Sequence, residues 1–259
     1  MLVQGRRSTS FPPALLGVVG LLCVTEYSFA YVSESLGILL SLASVFSIYS
    51  LLSLFNLSSS LTEALEEVAV LFIYALLVAA LPWFFFRPEL LTPAVYSIVL
   101  ALVAWRMYAR GFTLRDAGFL HGGLRRDCLL GVALGVPTGV IEYLVLRPRV
   151  ASPFFDAGFF VQTAVQMLFF VALGEELLFR SLIQKSLIDL TGTFMGIIWT
   201  AAIFGIMHTV WRSVPELIFT FGAGLLLGLL YKRTNSIIGP ILLHGVNNII
   251  LLAVMPYIL

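Results

Sequence analysis

Seven residues in the second half of the chain carry side chains suited to proton chemistry or to shaping a site, and their spacing groups them into three short motifs. The first is Glu175-Glu176-Leu177-Leu178-Phe179-Arg180, the second Phe204-Gly205-Ile206-Met207-His208, the third His244-Gly245-Val246-Asn247-Asn248. Residues four apart share a helix face, so Glu176 and Arg180 are placed to pair. Glu175, about 100° round the helix, is left as an unpaired carboxylate, which suits general-base work. Phe204 and His208 share a face, with Gly205 leaving room beside them. So do His244 and Asn248, and an imidazole and an amide on one surface can both donate to a developing oxyanion. Each motif taken singly also has a structural reading: an ion-pair knot, a satisfied histidine near a span end, or interhelical glue.

The elements that must position these residues are membrane helices. Of 259 residues, 60% are hydrophobic and only 11% charged, against roughly 45–50% and about 25% in soluble domains. A net charge of +1 and 21 phenylalanines exclude disorder and nucleic-acid binding. Cys23 and Cys128 lie in apolar runs and are expected to be small buried hydrophobes rather than a disulfide. A bilayer core of about 30 Å needs about 20 apolar residues per helix. Continuous apolar runs rather than alternating ones exclude a barrel. Nine spans are read, near Phe11–Val32, Leu36–Leu57, Ala64–Phe86, Leu90–Tyr108, Asp127–Leu146, Gly158–Gln184, Phe194–Trp211, Pro215–Tyr231 and Ser236–Tyr257. The fold class is therefore all-α, a polytopic bundle of eight to nine transmembrane helices. In lipid an ionisable group costs about 2.5–3.5 kcal/mol at mid-span, so the motif residues, Glu26 and Glu142 are all functional candidates.

Ten basic residues fall in loops on one side (Arg6, Arg7, Arg106, Arg110, Arg115, Arg125, Arg126, Lys185, Lys232 and Arg233) against four on the other, Arg87, Arg147, Arg149 and Arg212. The N-terminus is accordingly expected in the cytoplasm. The polar stretch Ala109–Asp127 divides a four-span accessory region, 1–110, from a motif-bearing core, 111–259, and suits either a membrane-surface segment or a linker. Gly131, Gly135 and Gly139, and again Gly224 and Gly228, recur at a spacing that lets membrane helices approach closely. Pro137 is expected to kink its helix.

The set Glu-Glu-x-x-x-Arg, Phe-x-x-x-His and His-x-x-x-Asn on separate hydrophobic segments resembles the CPBP family, which includes the type II CAAX prenyl endopeptidases of the Ras-converting-enzyme type and the Abi immunity proteins. The resemblance covers about Gly111–Ile258. It implies a helical bundle around a water-filled cavity that opens to the cytoplasm and to lipid. It also implies an intramembrane endopeptidase in which Glu175 and His208 activate water, His244 and Asn248 form the oxyanion hole, and Glu176, Arg180 and Phe204 support the site. The partners it implies are membrane lipid and a peptide or lipidated-protein substrate.

Three alternatives stand beside this reading. Glu175, His208 and His244 also form a two-histidine, one-glutamate set of the kind that holds catalytic zinc. The metal-free form is favoured, because there is no His-Glu-x-x-His pair and no evident second acid to act as base, Glu142 excepted. A non-catalytic immunity or scaffold protein would keep the fold without the chemistry. A proton-coupled transporter using Glu26 and Glu142 would call for internal pseudo-symmetry, and none is found. On the expected spans Glu175 lies about 6 Å to one side of its helix centre and His208 about 8 Å to the other, at 1.5 Å per residue, a gap that shifted span boundaries must close. His121 is expected to be solvated in the linker.

Overall fold

The computed structural model describes residues 12–80, 88–120, 122–148 and 154–259. His121, Arg6, Arg7, Arg87, Arg149 and the far end of the expected third span lie outside the described residues.

Among the described residues the chain forms nine long helices and no strand. They are α1 Pro13–Val32, α2 Glu34–Leu54, α5 Leu124–Leu146, α6 Ala157–Thr191, α7 Thr193–Trp211, α8 Val214–Thr234 and α9 Ile238–Tyr257, with α3 Ser59–Ala80 and α4 Pro88–Ala109. Eight are long and apolar enough to cross a membrane. The exception, α3, has 22 residues but carries Glu63, Glu66 and Glu67 near its start. Those charges are answered from neighbouring helices: Arg106 pairs with Glu66 at 2.6 Å, and Arg110 with Glu63 at 2.6 Å and with Glu67. Arg110 also donates to Ser186 of α6 at 3.0 Å, so one arginine ties α3, α4 and α6 together. A single apolar core runs from Leu15 of α1 to Leu243 of α9, and α3 supplies its densest stretch, Val68–Phe72.

The expected sixth span stops at Gln184, but α6 runs to Thr191 and has 35 residues. At 1.5 Å per residue that is about 52 Å, well over the hydrocarbon thickness. Glu175 thereby falls near the middle of its helix. α6 also departs from regular α geometry: the four residues Leu173–Glu176 are α-helical, flanked by π-helical Met167–Ala172 and Leu177–Ile183. Single π turns inside α-helices occur frequently at functional sites. The linker is neither loose nor simply surface-lying. Ile237 N–H donates to Gly118 O at 3.0 Å and Ser181 Oγ to Ala117 O at 2.8 Å, so it docks on α6 and on the α8–α9 turn. Gly118 meets this requirement with φ 95°, in the left-handed region that glycine favours. α5 continues through Pro137, and the Thr138 hydroxyl donates to Leu134 O at 2.8 Å next to the break. The cysteines are free, but Cys23 is exposed and Cys128 only half-buried, which corrects the expectation that both are buried. In a membrane protein an outward-facing apolar residue meets lipid, so the burial rule for soluble cores does not apply.

The first glycine series packs as its spacing predicts. A Cβ on Gly135 would stand 2.8 Å from Leu243 O, and one on Gly139 2.6 Å from Asn247 O. α5 therefore rests directly on the backbone of α9, the helix that carries His244 and Asn248. Gly139→Ala is expected to lower the melting temperature in detergent, because overpacking costs about 1–3 kcal/mol against the roughly 1 kcal/mol that alanine gains over glycine in a helix. Gly17→Ala, with nothing within 4 Å of its new methyl, is expected not to lower it.

Candidate functional site

The site is built around the α-helical stretch of α6. Glu176 and Arg180, fully buried, pair through Oε1 and Nη1 at 3.0 Å, as their spacing predicts. The same Oε1 also meets His244 Nδ1 of α9 at 2.8 Å. One carboxylate oxygen thus joins a guanidinium and an imidazole from separate helices. With Nδ1–H given to a carboxylate, Nε2 of His244 is the nitrogen left to act, and it lies 3.9 Å from Glu175 Oε2. The Arg180 guanidinium stacks over Phe204 at 4.7 Å, and Phe204 meets the His208 ring at 4.7 Å and the His244 ring edge-on at 5.9 Å. Phe204 is thus the apolar partition between the cation and both histidines.

His208 follows the last turn of the α-helical part of α7, Thr193–Ile206. Its Nδ1 meets the Phe204 carbonyl at 2.8 Å, and a carbonyl can only accept, so Nδ1 carries a proton and Nε2 is the nitrogen turned away from that bond. On α9, Asn247 donates to Glu142 of α5 and, at 3.4 Å, to Asn248 Oδ1. Glu142 thereby gains a partner and lies beside fully buried Glu216 of α8.

Glu175 is not the free carboxylate that the spacing suggested. Its Oε1 accepts from Tyr74 Oη of α3 at 2.8 Å and from Tyr96 Oη of α4 at 2.5 Å, and the two hydroxyl oxygens lie side by side. These donors come from the front helices, where the sequence showed no motif. The signal that was there is weaker than a charge: a tyrosine buried in mid-span needs a partner for its hydroxyl. Oε2 stays directed at His244.

Glu175, His208, His244, Asn248 and Glu142 line one cavity of about 310 Å³, and Tyr74 and Tyr96 form part of its wall. The other wall residues fall towards one end of the bundle: Val78 near the end of α3, Leu91 and Thr92 at the start of α4, Val210 and Trp211 at the end of α7, and Leu251 and Leu252 beyond the motif on α9. Glu175 and His208 line the same cavity despite the depth mismatch expected from the spans, of which the greater length of α6 accounts for only about 4 Å at 1.5 Å per residue. Among the described residues no three His, Cys, Asp or Glu side chains are grouped so as to hold a metal ion.

Fold and site together define a polytopic membrane protein with a buried carboxylate–imidazole–amide centre. Residues 157–250, the stretch that holds all three motifs, match the family model of type II CAAX prenyl endopeptidase Rce1-like proteins. No curated protein and no solved structure matches the chain. Helices α1 to α5, including Tyr74, Tyr96 and Glu142, lie outside the matched segment.

If the two tyrosines hold Glu175 for catalysis, their removal should reduce turnover more than stability. Tyr74→Phe or Tyr96→Phe removes one hydrogen bond to a charged group, worth about 1.5–3 kcal/mol, which corresponds to roughly a 10- to 100-fold loss in kcat. The double variant should lose no more than the Glu175→Gln enzyme does. Single-turnover peptide cleavage beside thermal melting checks this.

Proposed function

We propose that this protein is a metal-free intramembrane endopeptidase in which Glu175 acts as general base. The observation that carries the reading is the convergence of Glu175, His208, His244 and Asn248 on one cavity. Water held between Glu175 Oε2 and His208 Nε2 gives its proton to the carboxylate and attacks the peptide carbonyl carbon. His244 Nε2, protonated while Nδ1 is held by Glu176, and the Asn248 amide donate to the resulting oxyanion. The C–N bond then breaks as Glu175 returns the proton to the leaving amine. Glu176 and Arg180 position His244 and touch no reacting atom. In a cavity walled by helices these charges are screened far less than in bulk water.

The substrate class is a peptide presented within the membrane, either a lipidated protein tail or another membrane-associated peptide. The 1–110 region belongs to this machinery, since α3 and α4 supply the hydroxyls that hold Glu175. A non-catalytic scaffold has no use for a carboxylate held by two donors and aimed at an imidazole.

If α3 crosses the membrane as the other eight helices can, the two expectations about sidedness exclude each other. The loops bearing most of the basic residues lie at one end of the bundle, and the wall of the cavity runs to the other. We give the charge rule precedence: the N-terminus lies in the cytoplasm and the cavity mouth faces away from it, the reverse of the access that the family resemblance implies.

Peptide-library profiling in detergent should show cleavage by the wild type that Glu175→Gln reduces by at least about 10³-fold, with no effect of a chelator. Cleavage retained by Glu175→Gln, or abolished by the chelator, overturns the mechanism. On intact cells, in a Cys23→Ser, Cys128→Ala background, Val210→Cys should react with an impermeant maleimide and Lys232→Cys should not. The opposite pattern reverses the orientation.

A further inference from the structure

Glu26 has no place in the mechanism above. It lies on α1, only 5% exposed, and its Oε1 has no hydrogen-bond partner. A buried carboxylate oxygen without a partner is a costly arrangement in a membrane bundle, and its persistence calls for an occupant. The side chain borders a chamber of about 480 Å³, together with Glu34 at the start of α2 and the apolar residues Phe29 and Ala75. Tyr74, Val78, Met207 and Val210 line this chamber and the catalytic cavity alike. The two spaces are therefore neighbours, and the Tyr74 side chain stands between them with its hydroxyl on Glu175.

Among the described residues the chamber wall holds two carboxylates and no cationic side chain. Arg212, on the turn after α7, is held over the Tyr31 ring at 5.9 Å and is not part of the wall. A ligand complementary to this space has an apolar stem and a positive head. An extended peptide advances about 3.4 Å per residue, so a residue close to the scissile bond can cross the width of one tyrosine ring.

Building on the endopeptidase reading, we propose that this chamber is a specificity subsite in which Glu26 receives a lysine or arginine side chain of the substrate peptide. Its aliphatic stem lies along Phe29 and Ala75, and its charge is neutralised by Glu26, with Glu34 as a second acceptor nearer the rim. Both carboxylates of the subsite and most of its wall belong to the front helices, outside the family-matched segment, so it selects substrates for this chain in particular.

The test compares peptides that differ only by lysine, arginine, norleucine or glutamate at the positions flanking the cleaved bond. In the wild type kcat/KM for the lysine or arginine peptide should exceed that for norleucine by at least about 10-fold at one position, through KM. Glu26→Gln should bring that ratio close to one, and Glu26→Asp should restore part of it, with thermal melting confirming that both variants fold. A wild-type ratio near one, or a ratio unchanged in Glu26→Gln, overturns the subsite. Should the wild type cleave none of the peptides, the endopeptidase reading fails, and the subsite is then judged by binding. Saturable binding of the lysine peptide to the Glu175→Gln protein, lost in Glu26→Gln/Glu175→Gln and absent for norleucine, sustains it. Equal binding of the two peptides, or none, overturns it.

Discussion

A single carboxylate oxygen, Oε1 of Glu176, carries the architecture of the site. It accepts from Arg180 one turn along its own helix and from His244 on a helix that follows 68 residues later in the chain. In water such contacts would be exchanged readily for solvent. Here both partners of the ion pair are fully buried, and removing one partner of a buried pair typically costs 3–5 kcal/mol. The orientation of the imidazole, the location of the guanidinium against Phe204 and the approach of α6 to α9 are consequences of that constraint. The glycines of α5 serve the same end from the other side, letting a helix lie on the backbone of α9 and limit where it can move.

Glu175 shows the complementary principle. A carboxylate meant to react needs one oxygen held and one oxygen free. The tyrosines of α3 and α4 hold Oε1, while Oε2 faces His244 at a distance too long for a hydrogen bond. The front helices are therefore part of the site. They in turn are fixed to the back of the molecule by Arg110, which reaches acids on α3 and a hydroxyl on α6.

Much of this was legible in the sequence because lipid makes polarity expensive. Glu175, Glu176, Arg180, His208, His244 and Asn248 stand out against apolar surroundings, and helical spacing correctly pairs Glu176 with Arg180. What spacing could not reveal is contact between distant segments: the bond of Glu176 to His244, the bond of Asn247 to Glu142, and the two tyrosine hydroxyls on Glu175. Tyrosine is apolar enough to pass as an ordinary membrane residue, so Tyr74 and Tyr96 carried no distinguishing mark. Helix length was misread at α6 because its last two turns, with Lys185 and Asp189, are polar, although the backbone continues through them. The exposure of Cys23 was misjudged because an apolar surface facing lipid reads like a core.

The π-helical turns on either side of Leu173–Glu176 bear on how such a protein can change over evolutionary time. Wider turns hold more residues for a given rise, so α6 has local slack in its winding. A π turn holds a residue more than an ordinary turn, so losing that residue lets a regular helix close with everything beyond still facing nearly the same way. The same deletion inside the α-helical Leu173–Glu176 would turn everything beyond by about 100°. Changes of length should therefore be absorbed in the flanking stretches and be rare between them, even where substitutions are frequent.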